Sequence, residues 1–114
     1  MKLLFWNTYR NKKINPYIEG IVADYDVDML VLSEYLADKN ELSIALAEGG
    51  QQLVESNTIG CDRINIWGNY IDIEAGIQSK YYSVQIINKK VILCGIHLVS
   101  DLHGDHSQER LAII

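Results

Sequence analysis

Proline is nearly absent from this chain: Pro16 stands alone among 114 residues, and no low-complexity stretch interrupts the sequence. That excludes a Pro-rich linker or recognition tail and leaves one continuous unit, residues 1–114, as the expected domain. Cysteine is almost as scarce, with Cys61 and Cys94 far apart in apolar, strand-like surroundings. Such a pair excludes a disulfide framework; two buried free thiols in a reducing, cytoplasmic setting are expected. Long apolar runs are missing too. The opening Leu3-Leu4-Phe5-Trp6 gives way at once to Asn7, Arg10, Lys12 and Lys13, too short for a signal core or a membrane span. Basic charge is in deficit, 10 Lys and Arg against 15 Asp and Glu, for a net charge of −5. A surface of that sign does not draw polyanions from a distance, which argues against a nucleic-acid coat protein. It is compatible with a phosphate substrate, because a divalent cation held in a pocket inverts the local field.

What is present is globular: 48% of residues are hydrophobic and 22% are charged. Residues 2–8 form an apolar run suited to a buried strand. Asn15-Pro16 then predicts a helix start, an N-cap residue followed by the ring that fits the first turn, with Ile18, Ile21, Val22 and Tyr25 on one face. Residues 28–34 are a second apolar run, ending in the carboxylate of Glu34. Strand, helix and strand in this order predict a crossover with the two strands parallel. Asp38 and Glu41 form a capping-box pair ahead of Leu42, Ala45 and Leu46, and Gly49-Gly50 supplies the stop.

The second half reads as strands over residues 62–67, 70–75, 80–87 and 91–99, with Asn88-Lys89-Lys90 as a tight turn. Tyr82, Val84 and Ile86 alternate with Tyr81, Ser83 and Gln85, so this strand is expected to turn its polar side to water. The whole reads as an α/β unit on one mixed sheet. Asp105 and Gln108 read as a capping pair that opens a helix carrying Leu111, Ile113 and Ile114. A helix opened this way is expected to run further, so the chain is expected to be truncated at its carboxyl end.

Polarity interrupts the apolar runs at three places: Asn7, Glu34 and His97 each stand near the carboxyl end of a predicted strand. In open α/β sheets that edge is where ligands bind. Taken singly, each residue has an ordinary structural reading. Asn7 can end a strand, Glu34 can pair with Arg10 or Lys39, and His97 can be a hydrogen-bonded core histidine. Taken together, Asn and Glu oxygens are hard ligands suited to magnesium, manganese or calcium, and a nearby imidazole moves protons near neutral pH.

The segments Leu4-Phe5-Trp6-Asn7-Thr8, Asp28-Met29-Leu30-Val31-Leu32-Ser33-Glu34-Tyr35 and Ile96-His97-Leu98-Val99-Ser100, in this order, resemble motifs of the endonuclease/exonuclease/phosphatase superfamily, in particular its deoxyribonuclease and sphingomyelinase branches. The resemblance covers essentially the whole chain. It implies an α/β (α+β) fold, a mixed β-sheet with helices on one face, forming one half of a four-layer α/β/β/α sandwich. It implies a metal-dependent phosphodiesterase or phosphatase, with Mg2+ or Mn2+ held by Asn7 and Glu34 and with His97 acting near the leaving-group oxygen. The substrate is then a phosphate ester, nucleic acid among the candidates.

The family also uses a later Gly-Asp-x-Asn loop and a terminal Ser-Asp-His, in which the Asp–His pair activates water. Neither motif stands in this sequence. Gly104-Asp105-His106-Ser107 echoes both but follows the His97 strand directly and reads as a polar loop; Asp101, His103, Asp105 and His106 there read as solvated rather than metal-binding. The isolated chain is therefore expected to be inactive, and a second copy or a partner is expected to cover an exposed sheet face. Two rival readings differ in class. A Rossmann-type nucleotide module is disfavoured because Asn7-Thr8-Tyr9-Arg10-Asn11 has no glycine to let phosphate approach a helix. A non-catalytic half-fold that binds a partner is the alternative.

Overall fold

The computed structural model describes residues 1–56, 58, 60–70 and 73–97. Strand β1 (Leu3–Asn7), helix α1 (Asn15–Tyr25) and strand β2 (Met29–Ser33) form the expected crossover. β1 and β2 are parallel, in a register that sets Asn7 opposite Ser33. Helix α2 (Lys39–Glu48) follows, then strands β3 (Val54–Glu55), β4 (Ile64–Gly68), β5 (Ile73–Gln78), β6 (Tyr82–Ile87) and β7 (Val91–Ile96). Among the described residues, no helix is long and apolar enough to cross a membrane.

The strands do not share one sheet. They divide into a four-stranded sheet in the order β1-β2-β4-β3 and an antiparallel three-stranded sheet, β5-β6-β7. β2 explains why. All of its residues are buried, so both of its faces need apolar cover. Leu30 and Leu32 face the helices, packing with Ile18, Val22, Leu42, Leu46 and Trp67. Met29 and Val31 face the other way, into a second cluster with Ile64, Ile66 and Ile87, against which Ile73 and Leu93 pack. The fold is thus a mixed α+β arrangement in which helices cover one side of the first sheet and the second sheet covers the other.

Helix α2 starts as the sequence predicts: the Asp38 carboxylate accepts the Glu41 backbone N–H at 3.0 Å, satisfying one of the orphan donors of the first turn. Helix α1 does not. Its N-cap is Ile14, with no side-chain cap. Asn15 is instead buried and occupied elsewhere, donating to the Asp38 carbonyl at 2.9 Å and accepting from the Tyr35 hydroxyl at 2.6 Å. The side chain that would cap α1 ties it to the segment that follows β2.

Three further expectations are corrected. β1 is an edge strand rather than a buried one, and its Leu3 and Phe5 are 49% and 51% exposed. β6 turns its polar side inward: Ser83 and Gln85 are fully buried, whereas Tyr82, Val84 and Ile86 lie on the half-buried outer side. The inward polar groups are joined, Ser83 donating to Gln78 Oε1 at 2.6 Å and Gln85 donating to Ser83 Oγ at 3.0 Å, which offsets their desolvation. Of the two free cysteines, Cys61 is buried as expected and Cys94 is exposed. The reason for Cys94 is its neighbour. Gly95 faces the first sheet, where an added Cβ would stand 2.9 Å from Ile64 and 3.1 Å from Val31, so strand alternation sends Cys94 outward. The predicted helix beginning at Asp105, and the loop with Asp101, His103 and His106, lie outside the described residues.

Candidate active site

β1 and β2 end side by side. The Thr8 N–H donates to the Ser33 carbonyl and the Arg10 N–H to the Glu34 carbonyl, each at 2.9 Å, carrying the parallel ladder past the strand ends. The Thr8 hydroxyl adds a third bond, to the Glu34 carbonyl at 2.9 Å. This triple hold matters because Glu34 has φ 53°, with Tyr9 and Arg10 at 55° and 60°. The left-handed region costs an L-residue about 1–2 kcal/mol. Such outliers persist only where surrounding bonds over-determine them, and they cluster at functional sites.

The left-handed turn at Glu34 brings its side chain toward His97. His97 stands just past β7, so it comes from the second sheet rather than from a neighbour of β1 and β2 in the first. Its backbone N–H donates to the Tyr81 carbonyl at 2.8 Å. Its Nδ1 lies 2.9 Å from the buried Ser33 Oγ, and its Nε2 lies 3.9 Å from Glu34 Oε1. Asn7, opposite Ser33 in the ladder, uses its side-chain oxygen to accept the Tyr9 N–H at 2.9 Å. The structure therefore gathers Asn7, Glu34 and His97 at one end of the sheet pair. The basic side chain beside Glu34 is the His97 ring, not one of the cations first considered for it: Lys39 pairs with Glu55 at 2.8 Å.

Burial pushes the His97 imidazole below its ordinary pKa of 6.5; the Glu34 carboxylate pulls the other way, and Arg63 and Arg10 add to the lowering. The ring is neutral at physiological pH. Arg63 also stacks on Tyr81, its guanidinium carbon 5.8 Å from the ring centre. A cavity of about 960 Å3 opens beside Tyr35, walled by Lys39, Ser56, Asn65 and Lys80.

The Glu34 carboxylate is 23% exposed, and the Asn7 amide oxygen accepts one bond, leaving its second lone pair. Both are oxygen ligands, the kind magnesium takes while keeping several waters. Among the described residues no group of three or more His, Cys, Asp or Glu side chains is placed to hold a metal ion.

No family model matches the chain, and neither does any curated protein.

Two groups of the site went unremarked in the sequence reading. Thr8 and Ser33 are small hydroxyl residues of kinds that end strands anywhere. The available signal was positional: in the parallel register Ser33 falls opposite Asn7, on the face that Met29 and Val31 turn to the second sheet.

Proposed function

We propose that this chain carries half the active site of a metal-dependent phosphoric ester hydrolase of the endonuclease/exonuclease/phosphatase type. One observation supports the reading most: the Glu34 carboxylate, on a backbone held in the left-handed region, lies beside the buried His97 imidazole at the carboxyl end of β2, where β1 ends alongside at Asn7. In this reading Glu34 and Asn7 hold Mg2+ or Mn2+. Such an ion, when bound, offsets negative charge on phosphoryl and leaving-group oxygens. Thr8 and the Arg10 N–H keep the Glu34 backbone in its left-handed turn, so that the carboxylate is aimed before any ligand arrives. His97 acts at the leaving-group oxygen by hydrogen bonding or proton transfer.

No residue at the site activates the attacking water in this reading, and the family's water-activating motif is absent from the sequence. The isolated chain is then nearly inactive, since losing a general base costs about a hundred- to ten-thousand-fold in rate. In this reading the helices and the two sheets belong to a four-layer α/β/β/α sandwich. An exposed free thiol at Cys94 favours a reducing, cytoplasmic setting.

Calorimetric titration with magnesium and manganese tests the site. Weak binding is expected, lost in Glu34→Gln and retained in His103→Ala and His106→Ala; equal binding by wild type and Glu34→Gln would refute it. A specific observation also favours the non-catalytic reading, in which the chain is an interaction half-fold: the outer face of β6 and β7 is apolar, with Ile92 73% exposed and Ile96 44% exposed. Metal binding at Glu34 separates the two readings.

A further inference from the structure

We propose that the cavity beside Tyr35 is a phosphate site in its own right, where the Lys80 ammonium and the Asn65 amide hold a phosphate group separate from the ester at Glu34. That an anion binds there is argued from the charges around the cavity; that the anion is a phosphate rests on the hydrolase reading. The cavity, of about 960 Å3, lies where β2 ends, and Tyr35 on its wall directly follows Glu34 in the chain. Asn65, also on the wall, stands opposite Leu32 in the ladder and so belongs to the helix side of the sheet. Ser33 and His97 lie on the side of the second sheet. Lys80 completes this part of the wall, and the next residue, Tyr81, accepts the His97 N–H at its carbonyl. The cavity and the candidate active site are therefore neighbours round the end of one strand.

Ion pairing leaves one cation over. Among the charged side chains of the wall, Lys39 lies 2.8 Å from Glu55, and Asp62 lies 3.8 Å from Nε of Arg63. Lys80 has no carboxylate in reach among the described residues; its Nζ stands 5.5 Å from the centre of the Tyr81 ring. A ring face attracts an ammonium but fills none of its N–H donors with a lone pair. The Arg63 guanidinium carbon lies 5.8 Å from the same ring centre. Two cations at one aromatic ring make the local field positive, although the chain as a whole carries a net charge of −5. Asn65 adds neutral donors. It is half-buried, and its amide makes no hydrogen bond among the described residues, so two further N–H groups are open to the same space.

A group with negative charge and several acceptor oxygens meets both needs. Phosphate does so: its oxygens accept from donors on more than one side, and its charge balances the unpaired Lys80. The carboxylates of the wall do not compete, because each already has its own cation. The cavity is far larger than one phosphate and leaves room for the group that carries it. In the hydrolase reading the ester to be cut lies at Glu34, and this site takes a further phosphate of the same molecule. Free inorganic phosphate has the same chemistry and is the other source.

Proton–nitrogen correlation spectra of the labelled chain, titrated with inorganic phosphate at constant ionic strength and without metal, test the site. Saturable shifts are expected for the Asn65 side-chain amide, assigned by its loss in Asn65→Ser, and for the backbone amide of Lys80. Lys80 is exposed, so Lys80→Ala keeps the fold; it is expected to weaken phosphate binding about ten-fold, the scale of one charge-assisted hydrogen bond. Lys80→Arg is expected to retain binding. Lys89→Ala removes the same charge from the turn at the opposite end of β6 and is expected to bind as the wild type does. The proposal is overturned if the wild type shows no saturable shift, if Lys80→Ala binds unchanged, or if Lys80→Ala and Lys89→Ala lose affinity equally. A second titration, with magnesium present, compares the bisphosphate and the monophosphate of propanediol. Tighter binding of the bisphosphate, lost in both Lys80→Ala and Glu34→Gln, assigns the second phosphate to a substrate; equal binding of the two assigns the site to free phosphate. The first titration contains no metal and reads Asn65 and Lys80, so its failure is distinct from a failure of the calorimetric test of Glu34.

Discussion

Single residues in this protein are set by the bonds that surround them more than by their type. Tyr35 is a case next to the site. Its hydroxyl donates to Asn15 Oδ1 at 2.6 Å and to the Asp38 carbonyl at 3.0 Å, and its ring meets Trp67 edge-on at 5.9 Å. Burial raises its pKa from 10 to about 12, with the Asn15 contact opposing and Asp38 adding to the rise. The folded state thus holds the phenolic proton more firmly than the unfolded state does. The stability this gives is fully present below pH 10 and is lost as pH rises from 10 toward about 12. Urea melts of wild type and Tyr35→Phe should therefore converge over that interval, from a difference of about 1–3 kcal/mol at neutral pH, the cost of leaving a buried acceptor unpaired. A constant gap across the alkaline range would show that the hydroxyl is not held in this way. At this scale the sequence was legible where polarity broke an apolar run, as at Glu34, and silent where a residue acted through a neighbour. Asn15 has the form of a cap, and Tyr35 and Asp38, twenty and twenty-three positions along, divert it.

Elements were legible in proportion to how local their signals are. α2 could be read because its cap and its apolar spacing lie within one segment, and Asp38→Ala should cost ~1 kcal/mol in thermal or chemical melts. The parallel β1–β2 pairing could be read because a helix between two apolar strands leaves little other choice. In the second half the strands and the turn at residues 88–90 could be read, but not which face of a strand is buried, for a physical reason: a period of two separates the faces without saying which is inside. In β6 the polar face is inside because Ile87, on the same face as Ser83 and Gln85, is buried in the core, and because Gly95 of β7 stands across the ladder from Ser83. Gly95 allows the two sheets to approach. Gly95→Val should destabilise the fold by ~1–3 kcal/mol or more, because the side chain meets Ile64 and Val31 in an already packed layer. The same change at Cys94, one position along and exposed, should be near neutral. If the two variants melt alike, the sheets do not stack as described.

At the scale of the whole molecule, what remains open is where apolar surface meets water. The expected uncovered face of the first sheet is covered, by the chain's own β5-β6-β7. The uncovered surface lies one layer further out. There Tyr82, Val84 and Ile86 of β6 stand opposite Ile96, Cys94 and Ile92 of β7, in a continuous apolar patch. A second such feature is β1, which carries the exposed Leu3 and Phe5 and whose outer edge pairs with no strand among the described residues. Contiguous apolar surface of this kind is unusual on a soluble monomer and marks a place of association. We expect the purified chain to self-associate through the β6–β7 face as concentration rises, with a mass in light scattering above that of a 13.0 kDa monomer. Ile92→Lys tests the face without disturbing the fold, because Ile92 is mostly exposed and its replacement puts a charge at the centre of the patch. That variant should scatter as a monomer and melt within about 0.5 kcal/mol of wild type, as exposed substitutions do. Both forms should show little phosphodiester hydrolysis even with ample magnesium, since covering the face restores no water-activating group. A wild-type chain that stays monomeric at high concentration would show that the patch is tolerated in water. Rapid cleavage, lost on Glu34→Gln, would show instead that the chain already holds a base for the attacking water.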